Sequence, residues 1–231
     1  MIFAAILAAG SGSRMNSKIS KQYLNLSGKP IFIYSLQAVI NYGGFDDIIV
    51  AVGNKDISYV ENIIKDYTDK KIIVIPGGEN RNQTLEKIVK YLCENYEIKD
   101  DDLLLTHDGA RPFVTEKIIK DNIEKAKLLG GATAAVKSTD TIAVTKENLI
   151  KQVPDRNFCY NVQTPQTFNL KKLKRCMDKL SEGQKESLTD ASKIFLYNNE
   201  KVGISRGSEN NIKITYPTDL EIGENILKNK K

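Results

Sequence analysis

The sequence predicts an α/β protein, a mainly parallel sheet with helices on both faces, and three observations carry that expectation. Short continuous apolar runs recur at 2–7, 48–52, 72–75 and 103–106. Runs without polar alternation are what strands buried on both faces show. Between them stand segments with apolar residues at helical spacing, such as Val60, Ile63 and Ile64, or Leu85, Ile88, Val89 and Leu92. Strand and helix patterns alternate along the chain, the arrangement of βαβ units and parallel pairing.

Each element follows in order. The strand at 2–7 opens onto a loop from Gly10 to Lys29, and Pro30 starts a helix over 31–40, since proline's fixed φ and missing N–H suit a helix start. A strand over 47–52, a helix over 55–67, a strand over 72–75, the helix carrying Leu85 to Leu92 and a strand over 103–106 come next. Thr115 caps a helix with Ile118, Ile119 and Ile123 on its apolar face. The pattern breaks between Val136 and Arg156, where 141–144 and 149–150 flank Lys146-Glu147-Asn148 and read as a projecting hairpin arm. Helices near 170–180 and 189–197, strands over 202–204 and 212–215, and a capping box at Thr218-Asp219-Leu220-Glu221 complete the chain. No repeat or linker divides it, so residues 1–231 read as one domain with 137–156 as its arm.

Composition narrows the class. A chain of 231 residues can bury roughly 70% of its unfolded surface. Apolar content of 41% and charged content of 27% are ordinary for a globular protein. No apolar stretch approaches the roughly 20 residues of a membrane span, and the chain opens on a strand rather than a signal region, so a cytoplasmic protein without membrane contact is expected. The net charge of +5 fits an anionic substrate. No basic cluster with interleaved aromatics points to nucleic acid. The three cysteines, Cys93, Cys159 and Cys176, lack metal-ligand spacing and read as reduced thiols.

The stretch most charged with chemistry is Leu7-Ala8-Ala9-Gly10-Ser11-Gly12-Ser13-Arg14-Met15, with Lys21-Gln22-Tyr23 close behind. Glycines let backbone N–H groups approach a ligand, and successive N–H groups form an anion-binding concavity. Arg14 adds a planar fork and Lys21 a compact cation, a set that suits a nucleoside triphosphate. The dinucleotide pattern requires a third glycine where Met15 stands. The P-loop pattern fails as well, because Gly28-Lys29 is followed by Pro30.

Two further strand ends carry candidates. Gly77-Gly78-Glu79-Asn80-Arg81-Asn82-Gln83-Thr84 permits close backbone approach, with a cation at Arg81 and a hydroxyl at Thr84. In His107-Asp108-Gly109-Ala110-Arg111-Pro112, the Asp108 carboxylate suits a magnesium ion carried in with a triphosphate. Arg111 can serve a phosphate or brace the loop. His107, the single histidine, reads as a hydrogen-bonded core residue.

The G-x-G-x-R-M and K-Q-Y pattern resembles the signature of sugar-phosphate nucleotidyltransferases, and more closely of the cytidylyltransferases that make CDP-alditols. Gln163-Thr164-Pro165-Gln166-Thr167-Phe168, Leu188-Thr189-Asp190-Ala191-Ser192 and Asn211-Ile212-Lys213-Ile214-Thr215 extend the resemblance over 2–227. It implies a Rossmann-like nucleotidyltransferase fold whose arm crosses to a second subunit, making a homodimer. It further implies CTP and an alditol phosphate as substrates and Mg2+ as cofactor. Arg14, Lys21 and Lys213 are then the catalytic cations. Leu7, Ala8, Ala9, Gly10, Gly12, Gly78, Arg81, Thr84 and Asp108 hold the nucleotide, with Asp108 the metal ligand. Arg111, Thr141, Arg156, Thr164 and Thr189 serve the acceptor. Position 210 is Asn, where many relatives carry a second acidic metal contact.

The mechanism implied needs cations more than a base, because the second pKa of a phosphate monoester is about 6 and the acceptor is already an anion near neutral pH. Ile142 after Asp140-Thr141, Tyr160, Arg81-Asn82 and Leu188 to Phe195 lean toward ribitol 5-phosphate as acceptor, with 2-C-methyl-D-erythritol 4-phosphate as the alternative. A nicotinamide-dependent oxidoreductase is a remote third reading, since Gly53-Asn54 stands where an acidic residue is needed at the end of the second strand.

Overall fold

The computed structural model describes residues 1–10 and 20–229. β1, Ile2–Ala8, is an interior strand of its sheet. Side chains alternate across a strand, so Phe3 and Ala5 enter one core layer while Ala4, Ile6 and Ala8 enter the other. That double burial is why the run is continuously apolar. On one side β1 pairs in parallel with β4, Asp47–Val52, which pairs in parallel with β5, Ile73–Pro76. On the other it pairs in parallel with β6, Leu103–Asp108. Two short strands precede β4: β2, Asn25–Leu26, and β3, Lys29–Pro30, form a small ribbon where a plain loop was expected.

Helices cover both faces. α1 (Ile31–Tyr42), α2 (Ile57–Lys65) and α4 (Glu116–Leu129) lie over the layer of Ile6, Val50 and Leu105. α3 (Arg81–Asn95) and α5 (Leu170–Asp178) lie over the layer of Phe3, Ile49 and Leu104. The Asn80 side chain caps α3 by accepting from the Gln83 N–H, and Thr115 caps α4 through the Ile118 N–H. Gly130 at φ +84° ends α4 in the left-handed region, which glycine enters without steric cost.

Two strands stand where none was predicted. β7, Gly131–Lys137, and β10, Tyr160–Asn169, extend the sheet beyond β6. β10 runs antiparallel to both β6 and β7, and β11, Gly203–Arg206, lies parallel to β7 at the edge, giving the order β11-β7-β10-β6-β1-β4-β5. The ladder between β10 and β7 shifts register between Val162 and Gln166, around Pro165, which has no N–H to give. The arm is present as the hairpin of β8, Val144–Lys146, and β9, Leu149–Gln152, with every side chain exposed.

The later part of the chain corrects several expectations. The helix expected near 189–197 is the shorter α7, Ser192–Leu196, and α6, Glu182–Glu186, precedes it. Residues 212–215 form no strand, because they find no neighbouring strand to pair with; the Ile214 N–H donates to the Ala110 carbonyl instead. α8, Pro217–Lys228, begins before Thr218, and its start is fixed by Asp219, whose carboxylate accepts the N–H groups of Thr215 and Tyr216. Among the described residues no helix is long and apolar enough to cross a membrane.

Phe168 on β10 is fully buried and its ring lies 4.9 Å from that of Phe195. Phe168→Ala should therefore cost about 3–5 kcal/mol, read as a lower midpoint in chemical denaturation with unchanged slope.

Candidate active site

The carboxyl ends of the parallel strands meet where the connections diverge to either side of β1, the place at which open α/β sheets bind ligands. There a cleft of about 280 Å³ is lined by Leu7, Ala8, Ala9, Gly10, Lys21, Gly78, Arg81, Thr84, Asp108 and Lys213, all expected site residues. Gln22, Glu79, Asn80, Ala110 and Thr215 complete the lining. Gly12 and Arg14 lie outside the described residues.

Glycines are required at two points of the wall. A Cβ on Gly78 would come within 2.3 Å of the Gln83 Cβ, and one on Gly77 within 2.4 Å of the Ala9 Cβ. The Gly78 N–H donates to Thr84 Oγ1 at 3.0 Å, which ties the turn onto the first turn of α3. Gln22, buried, donates its amide to the carbonyls of Ala8 (2.6 Å) and Gly10 (3.0 Å) and so fastens the start of the glycine loop. Its position within Lys-Gln-Tyr was the one signal in the sequence for that role.

Asp108 is the charged centre. Its carboxylate takes Lys213 Nζ at 2.7 Å, Arg81 Nε at 3.4 Å and Arg111 Nε at 3.7 Å. Burial by itself would favour the protonated acid, but the cations Lys213, Arg81 and Arg111 outweigh it and hold the carboxyl well below the usual carboxylate range. Lys21 Nζ donates to the Ile214 carbonyl at 2.9 Å, which places two lysines at one wall of the cleft.

Arg111 does not line the cleft. It donates to the Asn211 carbonyl at 2.8 Å, and its own carbonyl accepts from Ser35 Oγ at 3.1 Å. Thr164 is buried beneath the site: its hydroxyl oxygen accepts the Asp108 N–H at 3.0 Å. Thr141, Arg156 and Thr189 are exposed and stand outside the cleft lining, with Arg156 Nη1 donating to the Thr139 carbonyl at 3.2 Å.

His107 is fully buried, with Nε2 3.0 Å from the Arg111 carbonyl and Nδ1 3.0 Å from Thr164 Oγ1. The carbonyl can only accept, so Nε2 carries the proton and Nδ1 accepts from the hydroxyl. Burial pushes its pKa down to about 4, and the ring is a neutral structural link, as expected of a core histidine.

Among the described residues no three His, Cys, Asp or Glu side chains stand close enough to hold a metal by themselves. The donor set nevertheless fits Mg2+, which binds through one or two carboxylates and fills its shell with phosphate and water oxygens.

Glycine turns, half-buried cations and one buried carboxylate at the strand ends of this sheet define a nucleotidyltransferase of the Rossmann-like α/β type. The family model for IspD, 2-C-methyl-D-erythritol 4-phosphate cytidylyltransferase, matches residues 2–229, and the chain belongs to that family of cytidylyltransferases. It is similar to the solved 4-diphosphocytidyl-2C-methyl-D-erythritol synthase of Anaerococcus prevotii, with 30% identity, TM-score 0.84, and coverage of 98% of this chain and 96% of that one. The Francisella tularensis enzyme matches at 30% identity and TM-score 0.78 over 96% and 97% of the two chains. The bifunctional IspDF of Campylobacter jejuni matches at 28% and 0.75 over 95% of this chain and 53% of its own. The oxidoreductase reading is thereby set aside.

His107 carries a pH prediction. Its folded pKa of about 4 lies below the ordinary value of 6.5, so between them the unfolded chain binds the extra proton and stability falls as pH falls. From pH 6.5 to 5 that loss should reach about 1.6 kcal/mol. Denaturation midpoints for the native chain and His107→Gln should diverge, with the variant lacking this component.

Proposed function

We propose that the chain transfers CMP from CTP to 2-C-methyl-D-erythritol 4-phosphate, giving the CDP-alditol and pyrophosphate. The family match over 2–229 carries this reading, and the 30% identity with the Anaerococcus prevotii and Francisella tularensis enzymes supports it. The comparisons favour this acceptor over ribitol 5-phosphate. Of the residues that leaned toward ribitol, Ile142, Tyr160 and Thr189 are exposed, while Leu188, Ala191, Ile194 and Phe195 are buried and pack the core.

In this reaction a phosphate oxygen of the acceptor attacks the α-phosphorus of CTP. The bond from that phosphorus to the bridging oxygen of the β-phosphate breaks, and its electrons leave with pyrophosphate. The Ala8–Gly10 backbone and Lys21 receive the triphosphate, joined by Gly12 and Arg14. Lys213 and Lys21 offset the charge that grows between attacking and leaving groups. Gly78, Arg81 and Thr84 receive the cytosine. Asp108 would hold Mg2+ brought with the triphosphate, and the ion would add positive charge at the phosphates. Arg111 and Thr164, set behind Asp108, fix its position. The reaction belongs in the cytoplasm, where CTP is available.

The arm reads as the means of dimerisation. Leu149 and Ile150 on it and Phe158 at its base, 84% exposed, present apolar surface that a second copy would cover. Thr141 and Arg156 then serve the acceptor phosphate in the partner's site, in keeping with their position away from this chain's own cleft.

Two experiments test the proposal. Pyrophosphate release with CTP should show a kcat/KM for 2-C-methyl-D-erythritol 4-phosphate at least about 10²-fold above that for ribitol 5-phosphate, and the reverse ranking overturns the acceptor; Lys21→Ala should lower turnover by about 10² or more. Mixed Lys21→Ala and Arg156→Ala subunits should recover activity that neither has alone. Monomers in light scattering, or no recovery after verified exchange, would remove the shared site.

A further inference from the structure

Gln166 is fully buried on β10, yet its amide is bonded at both ends. Its Oε1 accepts from Arg81 Nη2 at 2.7 Å. Its Nε2 faces both carboxylate oxygens of Asp190 at 3.0 and 2.9 Å, with Thr133 Oγ1 at 3.0 Å and Ser192 Oγ at 3.2 Å. Arg81 lines the nucleotide cleft and touches Asp108. Asp190 follows Thr189 and holds the turn into α7 by accepting the Ser192 N–H at 2.8 Å. A second link runs parallel to the first: Asn82, beside Arg81, donates to the Leu188 carbonyl at 2.6 Å.

We infer that Gln166 is a positioning residue that latches the Thr189 loop to the nucleotide-binding arginine, so that seating the nucleotide also sets the acceptor side of the site. The inference rests on the proposed function and on the acceptor-binding role that the family resemblance implies for Thr189. Its physical basis is polarity. A neutral amide between a guanidinium and a carboxylate offers an acceptor to one and a donor to the other, and no other uncharged side chain of that length does both. A carboxylate at 166 would still accept from Arg81 but would face Asp190 with like charge, and a buried like-charge contact opens the latch on one side only. The two ends are therefore separable by substitution.

The test uses the full chain with CTP and 2-C-methyl-D-erythritol 4-phosphate. Gln166→Glu should raise the acceptor KM at least about tenfold while kcat and the KM for CTP stay within about threefold. Hydrogen exchange in segment 187–194 should speed up by a similar factor without any substrate. Adding Asp190→Asn to Gln166→Glu moves the charge across the contact: the new carboxylate then accepts from both Arg81 and the new amide. The double variant should return acceptor KM and exchange to within about threefold of the native chain. Uniform loss of kcat, both KM values and thermal stability, or no return in the double variant, would overturn the latch. A native chain that turns over no alditol phosphate would defeat the functional reading instead, and the exchange measurement would still decide whether Gln166 holds the loop.

Discussion

A buried carboxylate without partners carries a penalty of several kcal/mol, and Asp108 meets that constraint with three cations drawn from distant parts of the chain. Arg81 starts α3, Arg111 follows β6, and Lys213 sits on the segment before α8. Each brings its element to the strand ends. The anion thus organises a positively charged wall, and the cations of that wall are the groups a triphosphate needs. On the proposed function, folding and nucleotide binding draw on the same charges.

Beneath it lies a neutral chain of hydrogen bonds. The Asp108 N–H reaches Thr164, the Thr164 hydroxyl reaches His107, and His107 reaches the Arg111 carbonyl. Asn211 donates to the Thr164 carbonyl at 2.8 Å and passes its own carbonyl to Arg111. A buried network of this kind gains rigidity from its satisfied members, although Asn211 Oδ1 has no hydrogen-bond partner among the described residues. Here it fixes the loop after β6 from below, while the cations hold it from above.

Much of the first half of the fold was legible in the sequence, because β1, β4 and β6 are apolar on both faces and their helices carry clear apolar stripes. Most cleft residues were legible too, since they fall at strand ends. β7 was missed because it is rich in Ala, a poor strand former in isolation; its small residues answer to packing, as a Cβ on Gly131 would press on Phe195 and Phe168. β10 was missed because Gln163, Thr164 and Gln166 are polar and Pro165 breaks the pattern. Those polar side chains are buried to hold the site, a tertiary reason that periodicity does not encode. At 212–215 the alternation was real, with Ile214 inward and Lys213 and Thr215 at the cleft, but no strand lies beside it. Of the two roles open to Arg111 in the sequence, a phosphate contact or a brace for the loop, its bonds to the Asn211 carbonyl and from Ser35 fit the brace.

The antiparallel insertion of β10 between β6 and β7 has a consequence for synthesis. The glycine loop, Arg81 and Asp108 leave the ribosome well before β10 and Lys213, so the emerging chain holds a buried-to-be carboxylate whose nearest counter-charge has not yet been made. Strand pairing across β6 and β10 also joins residues about 60 apart in the chain, Gln166 with Thr106, and closing such a loop is slower than extending the local βαβ units. The positively charged wall around Asp108 is therefore completed only after β10 and Lys213 have been made, well after the strands that carry the rest of the cleft.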